Sequence, residues 1–191
     1  MSYVPRFLAS SVGLTLAFTT SVCAPSLAEE TTLISLGPRI GFSGKTPLMG
    51  EQQKNNFELY DVAAIFRLPW MWRLNDRGWK VETRIITSAG ALVGGGNTGL
   101  MATLVPDLAL SGWNGLVSLD VGVGPGFFSR YKFGTQDFGG PVQLVATIGI
   151  GFNLLSHVYA GFRLHHFSDA GLYASPALGV DMYIVEFGYR F

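Results

Sequence analysis

The stretch His157-Val158-Tyr159-Ala160-Gly161-Phe162-Arg163-Leu164-His165-His166-Phe167-Ser168 decides the fold. Taken every second residue, Val158, Ala160, Phe162 and Leu164 form one apolar phase, which His166 and Ser168 extend. The other phase, Tyr159, Gly161, Arg163, His165 and Phe167, is mixed. Successive side chains of a β-strand point to opposite faces, so this segment reads as a strand with one apolar face and one that tolerates charge. In a membrane barrel the apolar phase faces lipid. His166 and Ser168 then sit on the lipid side of the rim, with Cα atoms roughly 6.7 Å apart, close enough for an imidazole and a hydroxyl to meet.

The same alternation recurs over about 31–42, 57–68, 79–89, 100–110, 116–124, 142–153 and 181–191. Between these segments lie a polar loop (43–56), a turn over 69–78 with Trp70, Trp72 and then Trp79, the tight reversal Gly94-Gly95-Gly96-Asn97, and a long loop (125–139). The polar phases carry both signs, including Arg39, Asp61, Glu82, Arg84, Arg163 and Glu186. Charges enclosed together must pair, and Asp107 and Asp120 read as interior ion-pair partners. The expected architecture is all-β: an eight-stranded antiparallel transmembrane β-barrel with a filled interior, since eight strands leave room for side chains and not for a pore. The rival is a soluble, lipocalin-like barrel with its apolar side inward. The aromatic final strand ending in Phe191 and the one-sided turn lengths favour the membrane.

Composition narrows the class further. Thirteen basic residues balance 13 acidic ones, and only 14% of the 191 residues are charged. No basic excess exists to neutralise phosphates, which argues against nucleic acid. The first 28 residues read as a secretory signal: Arg6, an apolar run over Val12 to Thr20, and the small-x-small site Ser26-Leu27-Ala28. Residues 29–191 then form the barrel. Cys23, the only cysteine, would leave with the signal, and Val22 before it disfavours a lipoprotein. No later apolar run reaches the ~18 residues of a transmembrane helix, and a closed barrel is the main remaining way to span a bilayer.

In an even-stranded barrel with both ends periplasmic, the seventh strand runs outward and the eighth returns. His166, Ser168 and Asp181 therefore meet at the extracellular rim. Asp181 shares the phase of Tyr183, Val185 and Phe187, so all three groups are expected to face lipid. Polar groups there are costly unless hydrogen-bonded. A Ser-His-Asp line satisfies them, with Ser168 as nucleophile, His166 as general base and Asp181 orienting the imidazole. His165 reads as a packed interior group and His157 as solvated or interfacial. No metal-ligand spacing occurs, so neither metal nor other cofactor is expected.

The motifs His166-Phe167-Ser168-Asp169-Ala170-Gly171, Gly179-Val180-Asp181 and Gly188-Tyr189-Arg190-Phe191 make the chain resemble the outer-membrane lipid A 3-O-deacylases, the PagL family. The resemblance covers the last quarter of the sequence. It implies an eight-stranded barrel, a serine esterase releasing the 3-position acyl chain, and lipid A (lipopolysaccharide) of the Gram-negative outer membrane as partner; a homodimer stays open. Two positions depart from the family pattern. Asp169 stands where the family commonly has an Asn that helps form the oxyanion hole, and the acid is Asp181 where best-known members have Glu. With Asp169 ionised, a backbone N–H near Ala170 or Gly171 would have to supply the hole. The alternatives are a non-enzymatic structural or adhesive barrel, or a phospholipase or acyltransferase on the same scaffold.

Overall fold

A computed structural model describes residues 26–27, 30–43, 53–75, 77–173 and 177–191. Eight long strands form the wall: β1 (Thr32–Phe42), β2 (Phe57–Arg73), β3 (Lys80–Gly94), β4 (Asn97–Gly112), β5 (Val117–Phe128), β6 (Val142–Leu155), β7 (Val158–Ser168) and β8 (Val180–Arg190). Each pairs antiparallel with the next, and β8 pairs with β1, so the sheet closes on itself. Every wall strand thus has a neighbour on both sides, which satisfies backbone groups that lipid cannot. Ser26–Leu27 pairs with Met71 and Trp70, while the rest of the expected leader lies outside the described residues.

Strand ends differ from the sequence expectation wherever a proline or glycine looked like a stop. β2 continues through Pro69 to Arg73, and its ladder with β3 slips between Arg67 and Met71. Pro69 has no N–H to contribute, so the ladder skips it without ending. β5 likewise continues through Pro125 to Phe128, and β3 reaches Gly94. Gly95 and Gly96 form the β3–β4 reversal with φ of 53° and 76°, values that favour glycine.

Inside and outside follow the alternation. Ile40, Val62, Leu104, Val121, Ile148 and Phe187 are exposed around the wall, an apolar band far beyond what a water-facing surface carries. Aromatic side chains collect at the periplasmic end, where Trp79 lies 5.9 Å from Trp113 and Tyr189 5.0 Å from Phe191, as at a membrane–water interface. The lumen is polar in its middle. Arg39 bonds Asp61 through Nε at 2.8 Å and reaches Glu186 at 3.5 Å. Arg163 bonds Glu186 at 2.7 Å, Asp120 through both terminal nitrogens, and Thr147 at 3.2 Å. A soluble barrel with an apolar lumen would need the reverse arrangement.

Two expectations about the interior are corrected. Asp107 is buried, yet it forms no salt bridge among the described residues. Arg163 is engaged by Asp120 and Glu186, and Arg84 by Glu82 and Ser111. The extracellular third of the lumen holds an aromatic cluster with buried neutral amides, and the lumen ion pairs lie below it. There the segment between β5 and β6 folds back into the mouth as a short hairpin, Lys132–Phe133 against Gln136–Asp137. Phe133 and Phe138, both fully buried, pack edge-on against each other at 5.8 Å and beside Phe57 and Phe128.

Arg163→Met should leave Asp120 and Glu186 short of their shared cation. A loss of about 3–5 kcal/mol is expected, read as a lowered unfolding midpoint of the barrel in detergent micelles; an unchanged midpoint would show that the lumen charges are individually dispensable.

Candidate active site

The β7–β8 register sets His166 directly opposite Asp181. Both side chains project from the outward side of the ladder, and His166 Nδ1 lies 2.6 Å from Asp181 Oδ1. Their environments differ: the imidazole is 19% exposed and the carboxylate 1%. This corrects the expectation that all three site groups face lipid. His166 and Ser168 are half-buried on the outer wall, whereas Asp181 is enclosed behind the imidazole. An enclosed carboxylate favours the tautomer with the proton on Nδ1, leaving Nε2 free to accept one.

Gly179 keeps that second nitrogen open. A methyl there would lie 3.3 Å from His166 Cε1, 3.6 Å from Nε2 and only 2.6 Å from the Phe167 carbonyl oxygen. No larger residue fits without displacing the strand or the ring. Ser168 ends β7, opposite Leu144, and no hydrogen bond joins it to His166. The structure therefore brings together His166 and Asp181, the expected base and acid, and puts the Ser168 hydroxyl two residues on, along the same face.

Beyond Ser168 the backbone reverses. The Leu172 N–H donates to the Asp169 carbonyl at 2.9 Å, and Ala170 and Gly171 take φ of 49° and 76°. Within this turn the Gly171 N–H donates to Asp169 Oδ1 at 3.2 Å. Of the two backbone donors expected near the oxyanion, the Gly171 N–H is thus already committed. Ala170 N–H has no hydrogen-bond partner among the described residues. The Asp169 carboxylate is turned towards its own turn, where an N–H satisfies part of its charge.

The segment after β7 is held from the side by the β5–β6 segment. Tyr173 accepts the Val142 N–H on its hydroxyl at 3.0 Å. Its ring covers Gly140 so closely that a Cβ there would come within 2.2 Å. Leu178 N–H donates to the Asp137 carbonyl at 3.0 Å. None of these contacts had a sequence signal, because each joins loops with no periodicity.

The other titratable groups play different parts. His165 is buried in the lumen, packed edge-on against Phe167 at 5.6 Å. His157 is exposed at the periplasmic end, stacked on Tyr189 at 5.1 Å. No group of three or more metal-ligand side chains occurs among the described residues. A cleft of about 680 Å³ lies at the periplasmic end around Arg73, Trp79 and Asn114, remote from His166. Next to the site runs a shallower apolar groove of about 580 Å³. It begins at Ala146, the β6 partner of His166, and crosses Val123, Pro106 and Leu108 to Trp70.

Comparison with known proteins bears on the whole wall. Residues 58–190 match the family described as Lipid A 3-O-deacylase (PagL). The chain is 33% identical over 73 residues to the lipid A deacylase PagL of Bordetella bronchiseptica, a match covering 38% of this chain and 40% of that protein. The chain thus spans about two-fifths of the length of that curated relative. Its fold is similar to the crystal structure of the outer membrane enzyme PagL, with a TM-score of 0.64, 18% identity, and coverage of 82% of this chain and 99% of that one.

In the folded barrel, nitrogen-15 NMR of the imidazoles should show His166 protonated on Nδ1 with a strongly hydrogen-bonded, downfield proton. That signature is expected to vanish in Asp181→Ala, and its persistence there would rule out the carboxylate as its partner.

Proposed function

The chain belongs to the lipid A 3-O-deacylase (PagL) family, and on that premise we propose that it is an outer-membrane serine esterase hydrolysing the 3-O-linked acyl chain of lipid A. The observation that carries the reading is the His166–Asp181 pair, 2.6 Å apart, at the extracellular end of the wall with the imidazole on its outer face and the carboxylate enclosed behind it. A substrate confined to the outer leaflet arrives at that face without entering the lumen, which is filled. The apolar groove starting at Ala146 offers a path for its acyl chain. The expected leader, residues 1–28, serves export and is removed.

In this mechanism Ser168 Oγ attacks the ester carbonyl while His166 Nε2 takes its proton. Asp181 holds the imidazole through Nδ1 and stabilises the cation that forms. Ala170 N–H is the uncommitted backbone donor available to the developing oxyanion. Collapse breaks the ester bond, and His166 returns the proton to the departing 3-hydroxyl of lipid A. Water, deprotonated by His166, then cleaves the acyl-Ser168 ester and releases the fatty acid. The Ser168–His166 hydrogen bond belongs to the substrate-bound state, since such contacts are often loose before substrate binds.

Asp169 favours the second reading, a barrel without enzymatic activity, because an ionised carboxylate beside the oxyanion opposes its formation. Its bond to Gly171 N–H turns the charge away and reduces that objection.

Mass spectrometry of lipid A from cells carrying the wild type should show loss of one 3-hydroxyacyl mass. Ser168→Ala and His166→Ala should abolish that loss, and spectra identical across all three strains would leave only the inert barrel. Asp169→Asn, which removes the opposing charge, should raise the deacylation rate by roughly tenfold; a slower Asp169→Asn enzyme would mean that the carboxylate itself takes part.

A further inference from the structure

Two buried side-chain amides from loops far apart in sequence converge on the start of β8. Gln53, in the segment between β1 and β2, is 2% exposed and accepts the Asp181 N–H on Oε1 at 2.8 Å. Its Nε2 donates to Ser43 Oγ at 3.1 Å, and the same oxygen accepts the Phe57 N–H at 3.0 Å. Gln136, fully buried at the hairpin in the barrel mouth, donates from Nε2 to the Gly179 carbonyl at 3.0 Å. It also accepts the Lys54 N–H on Oε1 at 3.0 Å. One amide therefore holds the acid residue itself, and the other ties the glycine beside His166 to the neighbour of Gln53.

These bonds fall where the wall no longer supplies any. The β8–β1 ladder begins at Tyr183 opposite Phe42, so Asp181 lies two residues beyond the last strand partner on that side. Gln53 takes the place of the missing strand. An Asp side chain is short, so where its carboxylate sits is decided by its backbone. A primary amide can accept from one segment and donate to another, which an apolar residue of the same volume cannot. Burying it is costly unless both functions are used.

We infer that Gln53 is a positioning residue for the hydrolysis proposed above, on which this inference rests, and that Gln136 supports it by holding Gly179 against the imidazole. Gln53 sets the distance from the Asp181 carboxylate to His166 Nδ1 through the Asp181 backbone. It touches no reacting atom.

The test uses full-length barrels in outer-membrane preparations and follows deacylation of purified lipid A. Rates are normalised to folded protein by heat-modifiable gel migration. Gln53→Met is expected to lower kcat by about ten- to a hundredfold, with KM changed by less than about twofold. The downfield Nδ1 proton of His166 should move upfield in Gln53→Met, because its carboxylate partner is less firmly held. In an Asp181→Asn background the same change should cost less than about twofold, since both substitutions act through one contact. Ser43→Ala, which removes one anchor of the Gln53 amide at little change in volume, should give the same split more weakly and serves if Gln53→Met does not fold. An equal loss in both backgrounds, a rise in KM alone, or no change would overturn the positioning role. Ser168→Ala run alongside separates the two claims. Activity retained there sinks the esterase reading, whereas an inactive Ser168→Ala with a fully active Gln53→Met sinks only the role of Gln53.

Discussion

Arg163 and Glu186 set the alignment of the two strands on which the site stands. Their 2.7 Å contact lies in the lumen, where both groups are almost wholly withdrawn from solvent. A buried charge deprived of its partner costs several kcal/mol. Sliding β8 by one residue along β7 would also turn every side chain of the strand to the opposite face, sending Glu186 into lipid. The ladder that sets Gly161 opposite Glu186 is the one that sets His166 opposite Asp181. Electrostatics inside the barrel thereby fixes which pair of groups meets on its outside.

Above the charged belt the mouth is closed by a small aromatic core. Phe128 lies 5.4 Å from Phe167 and 5.5 Å from Phe138, and Phe57 packs on both hairpin phenylalanines. The extracellular segment between β5 and β6 is consequently as much a part of the interior as any strand. That packing gives Gln136, Asp137 and Gly140 fixed positions from which to hold the chain between Ser168 and Asp181. A rigid mouth serves a site on the rim, because the rim strands have no further partner above it.

The boundary between wall and lipid shapes the chemistry. Charge interactions at this boundary are stronger than in bulk solvent, so in the proposed reaction both the His166–Asp181 contact and the Asp169 charge count. In the turn after β7, Asp169 accepts from Gly171 N–H, and Ala170 takes φ 49°. The chain belongs to the lipid A 3-O-deacylase (PagL) family and shares its barrel fold with the outer membrane enzyme PagL.

Much of this was legible in residues taken two at a time. Alternation alone assigns Arg163 and Asp61 to the lumen and His166 and Ser168 to the outer wall, because side-chain direction in a strand is a local property with period two. The reversal at Gly95-Gly96 and the interfacial tryptophans are equally local. Strand ends were not legible: Pro69 and Pro125 read as stops, yet the ladders of neighbouring strands carry the backbone past them. Nor could the sequence show that Asp181 is enclosed, that Asp120 and not Asp107 takes the arginine, or that Gln53 reaches Asp181 and Gln136 reaches Gly179 across 128 and 43 residues of chain. The sequence by itself determined which face each strand residue takes; only closure of the barrel decided which distant side chains meet, because those contacts depend on loops brought together by packing and not on any repeat along the chain.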